Sequence, residues 1–210
     1  MNPEFWHARW NKNEIGFHES NGNALLKQFF NQLALEQGDT VFVPLCGKTK
    51  DIAWLLLHGM NVVAIELNEN AVQQLFEEMH VDAVVSTQGE FKLYTAENIK
   101  VFVGDFFKLT PDLLGYIGAV YDRGALVALP SELRDKYVLF LMAITNSAKQ
   151  LTICYEYPQH YFKGPPFSVS KQEVLEHYDC SYSVNELYRG QVKGGFRGFV
   201  DVFEVAYFLT

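Results

Sequence analysis

A chain of 210 residues, 49% of them hydrophobic and 15% aromatic, can fold around one substantial core, which excludes an intrinsically disordered chain. A formal charge of −8 disfavours a protein that grips duplex nucleic acid by neutralising phosphates, so no nucleic-acid partner is expected. The first residues hold no basic region followed by an apolar run, the apolar stretches are too short to span a bilayer, and Cys46, Cys154 and Cys180 have neither disulfide nor zinc spacing. The expectation is a cytoplasmic protein with no membrane or metal partner, folded as a single domain over residues 1–210.

Along the chain, residues 23–35 place Leu25, Leu26, Phe29, Phe30 and Leu33 at helical spacing, and Gly38 and Asp39 end that helix. Residues 40–43 are a short apolar strand running into the loop Pro44-Leu45-Cys46-Gly47-Lys48. A helix over 51–58 stops at Gly59, the residue type that tolerates a left-handed cap. A second apolar strand, 62–65, ends in Glu66. Asn68 is placed to cap the next helix, on which Val72, Leu75, Phe76 and Met79 share a face. Strand and helix in alternation predict a parallel sheet.

Residues 91–94 and 99–103 flank a polar turn and predict a hairpin whose second strand leads into Gly104-Asp105. A strand over 119–122 is followed by a helix, with Ser131 as its cap and Tyr137, Val138, Phe140, Leu141 and Ile144 on its apolar face, and then by a strand over 151–155. Prolines and a glycine keep 158–166 irregular, and Ser170-Lys171-Gln172-Glu173 spells a capping box. Residues 182–188 and 199–208 predict two strands, antiparallel across a glycine-rich turn. The fold class is α/β: a Rossmann-like, mostly parallel sheet with an antiparallel C-terminal hairpin and helices on both faces.

Ligands of such sheets bind beyond the carboxyl ends of the strands. The loop after Val43, Glu66, Asp105 and Asp122-Arg123 all fall there. An acidic residue ending the second strand can accept hydrogen bonds from both ribose hydroxyls, which suits a nucleoside. The first loop has one glycine, without the G-x-G-x-x-G fingerprint of a dinucleotide or the earlier glycine of a P-loop. A phosphate-free nucleoside such as S-adenosylmethionine fits, and a nicotinamide-dependent oxidoreductase is disfavoured. Cys46 reads as a small buried thiol in preference to a nucleophile. Trp6 and Trp10 read as one packed helix face, and His18 as an ordinary loop histidine or a proton shuttle.

Trp6-x-x-x-Trp10, Gly16-Phe17-His18, Val43-Pro44-Leu45-Cys46-Gly47-Lys48, Glu66, Tyr121-Asp122-Arg123-Gly124-Ala125-Leu126-Val127-Ala128 and Gly164-Pro165-Pro166-Phe167, in that order, resemble thiopurine S-methyltransferases. The resemblance implies a Rossmann-like methyltransferase sheet and S-adenosylmethionine-dependent methylation of sulfur on small aromatic or heterocyclic thiols, a detoxifying activity that leaves S-adenosylhomocysteine. It implies that Trp10, Leu45, Glu66, Asp105, Phe106 and Arg123 bind the cofactor, and that Phe17 and Pro166 line the acceptor pocket. Arg123 is the implied catalytic residue and Arg197 a second candidate. Residues 1–35 would be an N-terminal extension covering the active site of a monomer. A halide, inorganic thiol, selenium or tellurium methyltransferase remains open as an alternative, and so does a non-catalytic adenosyl-binding module.

Overall fold

The computed structural model describes residues 3–12, 14, 19, 21–192 and 194–210. Its strands are β1 (Thr40–Val43), β2 (Asn61–Glu66), β3 (Val84–Gln88), β4 (Phe91–Ala96), β5 (Ile99–Val103), β6 (Ala119–Arg123), β7 (Gln150–Glu156), β8 (Val184–Gln191) and β9 (Phe203–Leu209). They form one sheet in the order β3-β4-β5-β2-β1-β6-β7-β9-β8. The five central strands, β5 to β7 in that order, pair in parallel, and both edges are antiparallel. The helices are α1 (Pro3–Asn11), α2 (Ala24–Phe29), α3 (Asp51–Leu57), α4 (Glu69–Met79), α5 (Pro111–Leu114), α6 (Ser131–Thr145) and α7 (Lys171–Tyr178).

Alternation of side chains along the central strands divides the interior in two. Val41, Val43, Val62 and Ala64 join the core beneath α2, α3 and α4. Phe42, Val63 and Ile65 face the other core, filled by residues of α5, α6 and α7. A strand buried on both faces reads as an unbroken apolar run, which is why β1 and β2 are plain in the sequence. Glu66 breaks its run at the carboxyl end of β2.

Several expectations are met. Gly59 takes φ +79° just past α3, the Asn68 side chain accepts from the Ala71 amide at 3.2 Å, and β4 and β5 form the expected hairpin. The C-terminal strands are antiparallel. Others need correction. The helix expected over 23–35 is α2, capped by Asn23, and it tightens into a 3-10 turn over Phe30–Leu33. Ser131 is not a cap: Pro130, extended at ψ 155°, occupies that position and makes no side-chain cap bond, and Ser131 is the first helical residue. Only half of the capping box forms. Ser170 Oγ accepts from the Glu173 amide at 3.2 Å, but the Glu173 carboxylate turns away to pair with Arg134. The last two strands lie later than the pattern predicts, and β3 and the short α5 are elements that the sequence pattern does not display. All five β3 residues are exposed, so neither face imposes a hydrophobic period that a sequence could display.

Candidate active site

The first loop is built by its own backbone. The Cys46 amide donates to the Ile65 carbonyl at 2.9 Å, the Gly47 amide to Glu66 Oε2 at 2.9 Å, and the Thr49 amide to the Cys46 carbonyl at 3.2 Å. Those three amides are committed within the protein, so they do not form a cradle for phosphate. Leu45 adopts φ +46°, a left-handed conformation that costs a bulky residue about 1–2 kcal/mol. Gly47 is needed for a second reason besides its φ of +54°: a Cβ there would lie 3.1 Å from the ring of Trp10. Trp10, on α1, is thereby seated on the loop that follows β1, and it is buried.

Glu66 is 7% exposed. Besides the Gly47 amide on Oε2, Oε1 accepts the Asn68 amide at 2.9 Å. Burial pushes its pKa up, and the amides of Asn68, Gly47 and Leu67 pull it back. Each oxygen keeps a lone pair for a further donor. Cys46 beside it is buried, and desolvation together with the Glu66 charge holds its thiol well above the usual range, which agrees with a structural thiol and not a nucleophile.

Beyond these strand ends lies a cavity of about 370 Å³. Trp6, Arg9 and Trp10 of α1 line it, with Leu45 to Thr49 from the first loop, Glu66, Arg123, Tyr155, Pro165, Pro166, Phe196 and Arg197. Glu66 ends β2 and Arg123 ends β6, with β1 between, so their backbones stand about 10 Å apart. Burial opposes the charge of Arg123, but Tyr155, Glu19, Tyr121 and Asp51 outweigh it and raise the pKa. Its guanidinium pairs with the Glu19 carboxylate. The turn that carries Arg123 is tied by Asp122, whose Oδ1 accepts from the Ala125 and Leu126 amides at 3.1 and 3.2 Å.

The outer wall is aromatic. Tyr155 stacks on Phe196 at 5.7 Å and Tyr161 on Phe199 at 4.1 Å. Arg197 Nη2 donates to the Pro165 carbonyl at 3.2 Å, with its guanidinium 4.9 Å from the Phe162 ring. These contacts close the loop between β8 and β9 against the 158–166 segment.

Of the residues singled out in the sequence, Trp10, Leu45, Glu66, Arg123 and Pro166 line this one cavity, and Arg197 joins them. Asp105 and Phe106 do not line it. The Gly104 amide donates to the Glu66 carbonyl at 3.0 Å, so Asp105 follows at the adjacent strand end, where its exposed carboxylate accepts from the Phe107 amide at 3.0 Å. Phe106 is buried against Tyr137, with ring centroids 5.1 Å apart. Phe17 and His18 lie outside the described residues. Glu19, Arg9, Tyr155 and Phe196 escaped sequence reasoning. An isolated loop acid such as Glu19 carries no periodicity or spacing that marks it, and only the fold brings it to Arg123.

The thiopurine S-methyltransferase family profile matches residues 1–201. The chain belongs to the thiopurine S-methyltransferase family. Among relatives bearing that family's name, one from Xanthobacter autotrophicus is 46% identical over 210 residues, covering 100% of this chain and 99% of the relative. Another, from Teredinibacter turnerae, is 46% identical over 198 residues, covering 94% and 92%. Solved structures share the fold at low identity. A SAM-dependent methyltransferase from Anabaena variabilis superposes with TM-score 0.66 at 13% identity, covering 100% of this chain and 96% of that one. A Burkholderia thailandensis 1,6-didemethyltoxoflavin-N1-methyltransferase with bound S-adenosylhomocysteine gives 0.65 at 13%, covering 99% and 85%. As a member of the thiopurine S-methyltransferase family the chain is an S-adenosylmethionine-dependent transferase. Among the described residues no helix is long and apolar enough to cross a membrane.

Proposed function

We propose that this protein methylates the sulfur of small aromatic or heterocyclic thiols, thiopurines among them. The observation that carries this reading is one cavity that joins Glu66 to Arg123 under a wall of Tyr155, Phe196 and Pro166. An aromatic wall takes a flat ring, and a guanidinium beside it favours a sulfur anion. The relatives named thiopurine S-methyltransferase support the same acceptor class.

The residue roles in this reading combine the cavity lining with the family motifs. Glu66 receives the two ribose hydroxyls on its remaining lone pairs. Leu45 contacts the methionine portion, and Trp10 closes over it from the 1–35 extension. Asp105 and Phe106 serve the adenine, a role supported by the position of Asp105 at the strand end next to Glu66. Pro166 and Phe17 bound the acceptor, the latter on its sequence motif alone. The cofactor supplies a methyl carbon already activated on a sulfonium. The chain therefore has to align a sulfur with that carbon, exclude water and lower the cost of the thiolate. Arg123 does the last of these at the sulfur, and Trp6, Trp10 and the aromatic wall exclude solvent. With the cofactor bound, Arg123 would hold the acceptor sulfur as an anion in line with that carbon, the thiol proton would have passed to solvent, and the sulfonium would leave as the neutral thioether of S-adenosylhomocysteine. The free thiols of Cys46, Cys154 and Cys180 suit a cytoplasmic location.

Detection of S-adenosylhomocysteine by mass spectrometry, with a panel of aryl thiols, heterocyclic thiols, hydrosulfide and halides, tests the acceptor class. Turnover of halide or hydrosulfide alone would sink the aromatic thiol reading. Arg123→Ala should lower kcat/KM for thiols about tenfold, as loss of one charge-assisted hydrogen bond does, with the S-adenosylhomocysteine Kd little changed. Because Arg197 lines the same cavity, the double variant with Arg197→Ala should lose about a hundredfold. Unaltered thiol kinetics in the double variant would remove both arginines from the reaction. Trp10→Ala should weaken S-adenosylhomocysteine binding by calorimetry about tenfold, the effect of uncovering one large aromatic face.

A further inference from the structure

We infer that Arg134 is a positioning residue for the acceptor: from outside the cavity it fixes the Pro165-Pro166 wall against the turn that carries Arg123. This rests on the aromatic-thiol reading above. Arg134 does not line the cavity, yet it is 2% exposed and is the fourth residue of α6. Burial and the positive end of the helix both oppose a cation there, so a position needed only for packing would be better filled by an apolar side chain. What the guanidinium touches accounts for the charge. Its Nε donates to the Leu129 carbonyl at 2.9 Å, and its Nη1 pairs with Glu173 of α7. Its central carbon lies over the Phe167 ring, 5.7 Å from the ring centre.

Those three contacts join three parts of the molecule. Leu129 ends the turn that follows β6, closed by the Ala128 amide on the Ala125 carbonyl at 3.0 Å and the Leu129 amide on the Leu126 carbonyl at 3.2 Å. Val127 and Ala128 of that turn line the cavity. Phe167 follows Pro166, and its amide donates to the Val127 carbonyl at 2.6 Å. Its ring packs on Gly164, where a Cβ would lie 2.6 Å from it. The ring therefore meets the backbone of the wall at Gly164 and the guanidinium at Arg134. Glu173 holds the guanidinium from α7. Burial pushes the Glu173 carboxyl up, but hydrogen bonds from His177 and Arg134 outweigh it and keep the pKa below the usual range. His177 Nε2 lies 3.4 Å from the Glu173 oxygen that pairs with Arg134, and its Nδ1 is 2.9 Å from Asp135. A planar guanidinium serves two acceptors with its edge and a ring with its face, which an ammonium cannot do in one geometry.

The test uses Arg134→Lys and the paired variant Arg134→Met with Glu173→Leu, both in the full chain. Lysine keeps a charge for Glu173 but loses the flat three-way contact. The paired variant removes both ions together, so no uncompensated charge stays buried. Steady-state kinetics with thiophenol and calorimetry with S-adenosylhomocysteine give the result. Both variants should raise KM for thiophenol about tenfold, with kcat within about twofold of wild type and the S-adenosylhomocysteine Kd unchanged, as a displaced acceptor wall requires. A merely structural role would lower kcat through the folded fraction and leave KM alone. That pattern overturns the proposal, and so does a wild-type KM in either variant. Calorimetry with thioanisole on the S-adenosylhomocysteine complex reports on the wall without turnover, and its affinity should fall about tenfold in both variants. If the wild type turns over no thiol but that loss appears, the thiol reading fails and the role of Arg134 stands. If thiols are turned over and thioanisole binding is unchanged, the role of Arg134 fails alone.

Discussion

Replacing Glu66 by Ala should raise the S-adenosylhomocysteine dissociation constant about a hundredfold, because hydrogen bonds to a charged acceptor are worth about 1.5–3 kcal/mol each. The size of the effect comes from two losses. The ribose hydroxyls lose their acceptor. The Gly47 and Asn68 amides, each 2.9 Å from a carboxylate oxygen, lose theirs as well, and the loop that seats Trp10 and the strained Leu45 is no longer tied to the end of β2. Glu66→Gln separates the two. Its single carbonyl oxygen satisfies only one amide, and its amide group presents donors where the hydroxyls need acceptors, so its affinity should fall nearly as far while the fold is largely kept. Burial raises the Glu66 pKa, so cofactor affinity should also decline at acidic pH as this carboxylate takes up a proton, and that decline should vanish in Glu66→Gln. Calorimetric titration across pH checks both points. An unchanged dissociation constant in Glu66→Ala would remove the residue from the ribose site.

What the sequence disclosed and what it withheld have a common physical origin. β1 and β2 are legible because both faces are buried, and Glu66 stands out as the one charge at the end of such a run. Asn68 and Gly59 are legible because capping is local chemistry, settled within a few residues. Ser131 misled for the same reason: it has the residue type of a cap, but the extended Pro130 before it already takes that position. β3 was invisible because exposure on both faces erases periodicity, and its pairing with β4 is set by backbone hydrogen bonds across the turn at Gly89. In the site, motifs disclosed the residues that face the cavity from strand ends, but not their counter-charges. Glu19 reaches Arg123 across 104 positions, and Glu204 reaches Asn23 across 181. Such pairings depend on where separate elements dock, which no local pattern encodes. The consequence is chemical. From sequence, Arg123 is a cation available to a thiolate; in the fold it is a cation already shared.

Asp122→Ala should cost about 4 kcal/mol of folding stability, since it removes a fully buried acceptor and leaves its donors unsatisfied. Oδ2 accepts from the Tyr137 hydroxyl at 2.7 Å, and Oδ1 holds the Ala125 and Leu126 amides that close the turn after β6. Burial pushes the carboxyl from 3.8 up to about 6, against the pull of Tyr137 and of the Leu126 and Ala125 amides. The folded state therefore binds this proton more tightly than the unfolded chain does. The sign follows: the contribution is full below 3.8 and is lost as pH rises through about 6, and the difference corresponds to about 3 kcal/mol. Asp122→Asn keeps an oxygen for the two amides and has no proton to lose. Urea denaturation of both proteins between pH 4 and pH 8 should give a wild-type stability that declines relative to Asp122→Asn between about 4 and 6, then runs parallel to it. A constant difference across that range would mean that the carboxyl is charged throughout. The turn carries Arg123, so Asp122→Ala should lower kcat with thiols even where the protein remains folded, whereas Asp122→Asn should retain turnover because the Ala125 and Leu126 amides still close on the same oxygen.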